Sequence, residues 1–174
     1  MPSYIKLALL DVDGVLTNGT KIYGASGEVI AKAFADLDFS AIKRFKQSGI
    51  AVCWLSADRH INEAIAKTRG IDFLYARDEN NQIDKVRFLP QICEVYGVSP
   101  AEIIYCCDDL FDKPLSEKLL ELGGMVACPS NAVTDMKEIA DLRLCEGGHG
   151  AIADLYNQLR LMGKIENPIT DIHE

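Results

Sequence analysis

The sequence has few basic residues, no long apolar run and no paired cysteine motif. Its 18 lysine and arginine residues are outnumbered by 26 aspartate and glutamate residues, so the net charge is −8 at pH 7. Such a chain lacks the extended basic surface that binds nucleic acids or anionic membranes, and neither partner is expected. No apolar stretch has the ~20 residues of a membrane-spanning helix. A small anionic ligand needs local cations.

The six cysteines show no Cys-x-x-Cys spacing, and no secretory leader precedes the first strand-like run. We therefore expect reduced, mostly buried thiols in a soluble, cytoplasmic protein. Cys106 and Cys107 are adjacent, and a redox role is conceivable for them. Two buried strand residues are the favoured interpretation, because neighbouring cysteines form a disulfide only with strain.

Short β-rich runs alternate with longer amphipathic stretches, which is typical of βα units around a parallel sheet. The length suits one domain, over residues 1–174. We predict strands over residues 5–10, 50–55, 73–75, 103–107 and 125–127, and helices over residues 39–47, 61–68, 85–96, 113–122 and 150–162. Residues 166–174 are interpreted as a loose tail.

One segment interrupts this alternation before the first helix. Residues 21–23 and 29–34 form two extended arms around a turn at residues 24–28 that contains two glycines. The pattern predicts a β-hairpin inserted over residues 18–36. This hairpin is too small to act as a cap domain, so only a neighbouring subunit would cover a site beside it.

The first chemically informative run is Asp-Val-Asp-Gly at residues 11–14, directly after an apolar strand. Ligands bind beyond the carboxyl ends of strands in an open parallel sheet. Alternation puts Asp11 and Asp13 on one side, and Gly14 allows a sharp turn with room for a phosphate. Two close carboxylates favour a hard cation such as Mg²⁺. The plainer alternative is a helix N-cap with a solvated aspartate.

Three more polar features follow predicted strands or precede predicted helices. Asp108, Asp109 and Asp112 follow the fourth strand and indicate either a metal site or an acidic helix cap. Ser56 ends the second strand, where it can bind a phosphoryl oxygen or simply cap the next helix. Lys85 can balance the charge of a phosphoryl group, although a lone lysine is more often a surface residue.

In this order, the residues resemble the haloacid dehalogenase superfamily of phosphotransferases across almost the whole chain. Asp-x-Asp-Gly-x-x-Thr at residues 11–17 is a specific pattern. The hairpin after this motif, Asp-Asp-Leu-Phe-Asp-x-Pro at residues 108–114 and Gly-Gly-His-Gly-Ala at residues 147–151 are similar to one capless branch. That branch contains phosphatases of 3-deoxy-D-manno-octulosonate 8-phosphate and of nine-carbon keto-deoxy sugar acid phosphates. The resemblance implies a Rossmann-like, doubly wound parallel α/β sheet without a cap domain.

The resemblance also implies roles for these residues. Asp11 would be the nucleophile that carries an aspartyl phosphate, and Asp13 the general acid and then the base. Mg²⁺ would be held by the Asp11 carboxylate, the Asp13 backbone carbonyl and Asp108, with Asp109 and Asp112 ordering that site. The substrate contacts would come from Ser56, Ala57, Arg59, Lys85 and His149. The same branch suggests a homotetramer in which the hairpins meet and a neighbour covers each mouth.

Four departures from the family pattern concern substrate recognition. Residues 56–58 are Ser-Ala-Asp where the branch has Thr-Gly-Arg or Ser-Gly-Arg, so either Arg59 takes the basic role or that role is lost. Residues 37–39 are Leu-Asp-Phe instead of Arg-Asp-Gly, which would change what fits beside the mouth. His149 replaces a basic residue and is either a substrate contact or solvated, and Cys107 replaces a glycine.

The sequence thus favours hydrolysis of a phosphomonoester on a small sugar acid, with release of inorganic phosphate. A nine-carbon substrate or another small phosphate ester is the nearest alternative. Two alternatives belong to other classes: a non-catalytic oligomeric scaffold that keeps the fold, and a phosphotransferase that passes phosphate to another acceptor.

Overall fold

A computed structural model of the protein describes residues 4–166. Eight strands are present within this range: β1 (Leu7–Leu10), β2 (Ile22–Tyr23), β3 (Val29–Ala31), β4 (Ala51–Ser56), β5 (Asp72–Tyr75), β6 (Ile103–Cys106), β7 (Met125–Pro129) and β8 (Leu142–Leu144). Six of them form one parallel sheet in the order β5-β4-β1-β6-β7-β8. This confirms the predicted parallel α/β sheet.

Six α-helices connect and flank the strands: α1 (Asp36–Gln47), α2 (His60–Thr68), α3 (Leu89–Tyr96), α4 (Lys113–Glu121), α5 (Thr134–Ile139) and α6 (Ala151–Leu161). All four residues of β1 are fully buried, because helices cover both faces of the sheet. Ala8 and Leu10 face one apolar layer, whereas Leu7 and Leu9 face the other. Among the described residues, no helix is long and apolar enough to cross a membrane.

The chain order reverses beside β1, which pairs with β4 on one side and β6 on the other. The loops that follow these three strands leave from the same edge of the sheet, because the strands are parallel. In doubly wound sheets such a reversal opens a crevice beyond the carboxyl ends of the strands. The loops after β1, β4 and β6 therefore meet at one place.

The β-hairpin expected before the first helix is present as β2 and β3, an antiparallel pair. Gly27 occupies the turn with φ of +84°, a conformation that L side chains rarely adopt. Three of its large apolar side chains are exposed: Ile22, Tyr23 and Ile30.

Some boundaries and two short elements differ from expectation. The sequence analysis missed α5 and β8, which have only six and three residues and carry too few apolar positions for a clear period. The helix expected from residue 85 starts as a 3₁₀ turn at Val86–Phe88 and becomes α3 at Leu89, where Pro90 suits a helix start. Of the expected tail, residues 167–174 lie outside the described residues.

Asp38 joins α1 to the start of α6. Its buried Oδ1 accepts hydrogen bonds from the backbone N–H groups of Ile152 (2.8 Å) and Ala153 (3.2 Å). Burial raises the pKa of Asp38, and these N–H groups oppose the shift because they favour the ionised form. Phe39, next along the chain, is buried and stacks near Phe34 at 5.9 Å. Residues 38 and 39 thus serve packing and helix capping.

Replacement of Asp38 by alanine should destabilise the fold. The Asp38→Ala variant leaves two helix N–H groups without their acceptor, so we expect a loss of ~1–2 kcal/mol in the free energy of unfolding. Urea denaturation measures it, with Asp36→Ala as control, since the Asp36 side chain is 96% exposed. Equal urea midpoints for the two variants would contradict the capping role.

Candidate active site

A cleft of about 300 Å³ lies at the carboxyl ends of β1, β4 and β6. It contains six acidic side chains but also three basic ones. The acids are Asp11, Asp13, Asp58, Asp108, Asp109 and Asp112, and the bases are Lys21, Arg77 and Lys85. So many carboxylates in one cleft require cations to balance them.

Asp11 follows β1 directly and is only 8% exposed. Its Oδ1 accepts a hydrogen bond from the backbone N–H of Val12 at 2.7 Å, and its Oδ2 lies 2.8 Å from Lys85 Nζ. Burial raises the pKa of Asp11 to about 7, although Lys85 opposes the shift. Asp112 adds to it by repulsion. Asp11 is thus a carboxylate held in place with one face toward the cleft.

Lys85 is a buried cation between two acids. Its side chain is 3% exposed, and Nζ pairs with both Asp11 and Asp112. Asp112 also accepts hydrogen bonds from the Tyr105 hydroxyl (2.6 Å) and from the backbone N–H of Asp109 (3.1 Å). Burial alone would lower the pKa of Lys85, but the two carboxylates raise it. The structure therefore excludes a surface role for this lysine.

Asp11, Asp108 and Asp112 offer carboxylate oxygens that all lie within 4.8 Å of one another. Burial, with repulsion from Asp11 and Asp112, raises the pKa of Asp108 to about 8. Gly14 lies directly under Asp108, since a Cβ there would fall 1.9 Å from Asp108 Oδ2. Hard oxygen donors that repel one another fit a divalent cation such as Mg²⁺.

The members of this cluster are not equally available. Asp112 is 1% exposed, and its carboxylate oxygens accept three hydrogen bonds. Asp11 is 8% exposed, with one contact to each oxygen. Asp108 is half-buried, and within residues 4–166 no hydrogen bond or ion pair to its carboxylate is found. Asp109 lines the cleft but is exposed, and its Oδ1 accepts a hydrogen bond from the backbone N–H of Leu110 at 2.6 Å. This division favours Asp11 and Asp108 as ligands and Asp109 and Asp112 as supports.

Asp13 is held by two residues that the sequence analysis missed. Lys32, at the end of the hairpin, lies 2.7 Å from Asp13 Oδ1. Asn62, in the first turn of α2, donates to Asp13 Oδ2 at 3.0 Å. A lysine in a hairpin arm and a polar residue six positions after Ser56 are weak signals, because nothing in the sequence shows that they meet.

Ser56, the last residue of β4, lies at the cleft with Ala57 and Asp58 from the loop that follows. Ser56 Oγ accepts hydrogen bonds from the backbone N–H of Asp58 and from Asn62 Nδ2, both at 3.1 Å. Its own O–H is therefore left to donate. Burial raises the pKa of Asp58, but hydrogen bonds from Lys21 and Lys32 outweigh it and lower that pKa to about 2.

Two of the expected substrate contacts lie outside the lining of this cleft. Arg59 pairs with Glu63 at 2.8 Å, lies over the Tyr75 ring and lines a depression beside the cleft. His149 is exposed, and its Nδ1 lies 3.1 Å from the carbonyl oxygen of Gly147. Of the three basic residues that line the cleft, Lys85 was predicted from the sequence, whereas Lys21 and Arg77 were not. Arg77 comes from the loop after β5.

The late glycine-rich loop packs against the loop of Asp11 and Asp13. A Cβ on Gly147 would fall 2.0 Å from the carbonyl oxygen of Gly14. Asn131 joins the two loops, because its Nδ2 donates to that carbonyl at 2.9 Å and its Oδ1 accepts from the Gly147 N–H at 2.7 Å. The conformation of the Asp11 loop thus depends on close backbone contact here.

All six cysteines are free thiols. Cys106 and Cys107 are fully buried, and burial raises both pKa values well above the ordinary range. Cys107 Sγ lies 3.3 Å from Ser116 Oγ. These contacts favour packing over redox chemistry, since a reactive thiol is an accessible thiolate.

The raised pKa values predict that Mg²⁺ binding weakens in acid. Below pH 7 both Asp11 and Asp108 carry protons that the ion must displace, whereas above pH 8 they are ionised. We expect the apparent Kd for Mg²⁺ to rise up to ~10-fold per pH unit for each proton displaced. Calorimetry at pH 6, 7 and 8.5 in two buffers measures affinity and proton release. A Kd that is constant from pH 6 to 8.5 would contradict these shifts.

No family model matches the sequence. Among curated proteins, the 3-deoxy-D-manno-octulosonate 8-phosphate phosphatase KdsC of Escherichia coli is 31% identical over 165 residues, which are 93% of this chain and 83% of KdsC. KdsC of Yersinia pestis is 28% identical over 158 residues, 90% of this chain and 80% of that protein. Both relatives are thus similar over nearly the full chain.

Solved structures agree with these sequence matches. A hydrolase of haloacid dehalogenase subfamily III A from Legionella pneumophila has a TM-score of 0.81 at 29% identity, covering 95% of this chain and 88% of its own. The cobalt-bound deoxy-D-mannose-octulosonate 8-phosphate phosphatase of Haemophilus influenzae has a TM-score of 0.79 at 29% identity, covering 91% and 90%. The Moraxella catarrhalis phosphatase, in complex with magnesium, phosphate and KDO, has a TM-score of 0.76 at 28% identity, covering 90% and 86%. The chain therefore belongs to the haloacid dehalogenase superfamily, as a hydrolase of its phosphatase branch related to KdsC.

Proposed function

We propose that the protein is a magnesium-dependent phosphomonoesterase that works through an aspartyl phosphate on Asp11. The observation that carries this proposal is the arrangement around Asp11, a buried carboxylate paired with Lys85 and within 4.8 Å of Asp108. A nucleophile, a fixed cation and a metal-binding acid share one cleft. Phosphoryl transfer needs little more than such positioning and charge.

In the first step, an Asp11 carboxylate oxygen bonds to phosphorus while the bond from phosphorus to the leaving oxygen breaks. Asp13, in its acid form, gives its proton to that oxygen. The Ser56 hydroxyl, whose oxygen already accepts two hydrogen bonds, donates to a phosphoryl oxygen. Lys85 stabilises the charge that Asp11 and the phosphoryl group share.

In the second step, Asp13 takes a proton from water, and the water oxygen bonds to phosphorus. The bond between Asp11 and phosphorus then breaks, which releases inorganic phosphate and restores the carboxylate. When bound, Mg²⁺ supplies positive charge for the phosphoryl oxygens. Asp11, Asp108 and the backbone carbonyl of Asp13 would hold it, with Asp109 and Asp112 in support.

A keto-deoxy sugar acid phosphate, such as 3-deoxy-D-manno-octulosonate 8-phosphate, is the substrate that we propose. Its support is the activity of the relatives at 31% identity and the positive charge of Lys21 and Arg77 at the cleft, which favours a substrate carboxylate. Lys21 also pairs with Asp58, and Arg77 also donates to two backbone carbonyls. A nine-carbon analogue is the nearest alternative. A panel of both, with hexose phosphates and analysis for free phosphate, separates these substrates and distinguishes hydrolysis from transfer to another acceptor.

We also propose an assembly and a cellular location, both of which are expected from the resemblance to the capless phosphatase branch. A homotetramer would bury the exposed hairpin residues Ile22, Tyr23 and Ile30, which otherwise leave apolar surface in water. We propose that the protein works in the cytoplasm, in agreement with its six free thiols.

Loss of the Asp11 carboxylate should abolish turnover. The Asp11→Asn variant keeps the shape of the side chain but removes the nucleophile, so we expect kcat to fall by ~10³-fold or more while the protein stays folded. Phosphate release from p-nitrophenyl phosphate with Mg²⁺ measures this. Chelation should stop the wild type, and added Mg²⁺ should restore it. Appreciable activity in Asp11→Asn would exclude this nucleophile, and an inactive wild type would favour the scaffold.

Arg77 and Arg59 should differ in their effect on substrate binding. Arg77→Gln removes a cation from the cleft, so we expect KM for the sugar acid phosphate to rise ~10-fold with little change for p-nitrophenyl phosphate. Arg59→Gln should leave both values within ~2-fold, since Arg59 pairs with Glu63 outside the cleft. Steady-state kinetics with both substrates test the pair. A selective rise in KM for the sugar acid phosphate in Arg59→Gln alone would show that Arg59, and not Arg77, contacts the substrate.

A further inference from the structure

We propose that Lys32 and Asn62 are positioning residues that fix the carboxylate of Asp13 for proton transfer. The proposal rests on the acid and base role of Asp13 in the proposed function. It adds two residues and assigns the β-hairpin a part in the chemistry, because Lys32 follows β3 directly.

Lys32 is a buried ammonium whose three hydrogens each have an acceptor. Its side chain is 1% exposed. Nζ donates to Asp13 Oδ2 (2.9 Å), Asp58 Oδ2 (2.8 Å) and Asn62 Oδ1 (3.0 Å). The ammonium group of a lysine normally rotates freely about the last bond of its side chain, but here all three of its N–H donors make hydrogen bonds. The position of Nζ, and with it that of the Asp13 carboxylate, is therefore fixed.

Asn62 connects the same carboxylate to the residue that faces the phosphoryl group. It is fully buried in the first turn of α2. Its Nδ2 lies 3.0 Å from Asp13 Oδ2 and 3.1 Å from Ser56 Oγ. One amide thus sets the distance between Asp13 and Ser56.

The family pattern places a basic residue in the loop after β4, where this chain has Asp58, and Lys32 brings a cation to the same place from the hairpin. Arg59 pairs with Glu63 and does not line the cleft. Lys21 pairs with Asp58 at 2.8 Å and acts on Asp13 through its charge, with no hydrogen bond or ion pair to that carboxylate within residues 4–166. Lys32 touches both Asp13 and Asp58, so the hairpin supplies the cation that holds the acid in place.

A positioning role has a kinetic signature that a packing role lacks. An alkoxide leaving group needs the proton of Asp13 as the bond to phosphorus breaks, whereas p-nitrophenolate is stable enough to leave without one. A displaced Asp13 should therefore slow the transfer from alkyl phosphates more than that from p-nitrophenyl phosphate. The value of kcat/KM reports this first transfer step for each substrate.

The experiment compares kcat/KM for glycerol 1-phosphate and p-nitrophenyl phosphate in Lys32→Met and Asn62→Ala, with saturating Mg²⁺. We expect the alkyl-to-aryl ratio to fall by ~10-fold or more in both variants, and Lys32→Arg to recover part of it. Lys6→Met is the matched control, because Lys6 is exposed and pairs with Glu102 at the far end of β1. Its ratio should equal that of the wild type.

The ratio does not depend on the fraction of folded enzyme, since both substrates are measured on one preparation. An unchanged ratio in Lys32→Met and Asn62→Ala overturns the positioning role, whatever the absolute loss. Asp13→Asn, measured alongside, should show the same selective loss. A uniform loss there overturns the acid role of Asp13 and this inference with it. A selective loss in Asp13→Asn alone overturns only the role of Lys32 and Asn62.

Discussion

The pairing of buried Lys85 with Asp11 and Asp112 is the interaction on which the site depends. Six carboxylates line one cleft of about 300 Å³. Burial and repulsion from neighbouring carboxylates raise the pKa of Asp11 to about 7 and that of Asp108 to about 8. Without an internal cation, these charges would destabilise the loops that carry them. Lys85 offsets part of that repulsion and orients Asp11, and a divalent cation can offset the rest.

Backbone geometry explains why the main acids were predictable from the sequence. Asp11 directly follows β1, and Asp108 lies two residues beyond the end of β6. The ends of neighbouring parallel strands meet at one edge of the sheet. Lys32 and Asn62 were not predictable in this way. They reach Asp13 from a hairpin and a helix, 19 and 49 positions along the chain, and side-chain direction decides those contacts. The short β8 and α5 were missed because periodicity needs longer segments.

Two residues that the family motifs place near the substrate, Arg59 and His149, lie outside the lining of the cleft. Both were expected to contact the substrate because they stand beside motif positions. Arg77 does line the cleft, although the loop that carries it belongs to none of the family motifs. The sequence therefore predicted the position of the acids at the strand ends better than that of the residues in the surrounding loops.

The hairpin has a consequence for how such an enzyme can be re-engineered. Because the buried side chain of Lys32 pairs with Asp13 and Asp58, the insertion after β1 contributes a residue to the interior of the candidate active site. A chimera that exchanges residues 18–36 for a foreign lid would leave two acids facing each other without their counter-ion. Any segment grafted at this junction must therefore supply a buried cation that pairs with both acids, in addition to fitting the shape of the cleft.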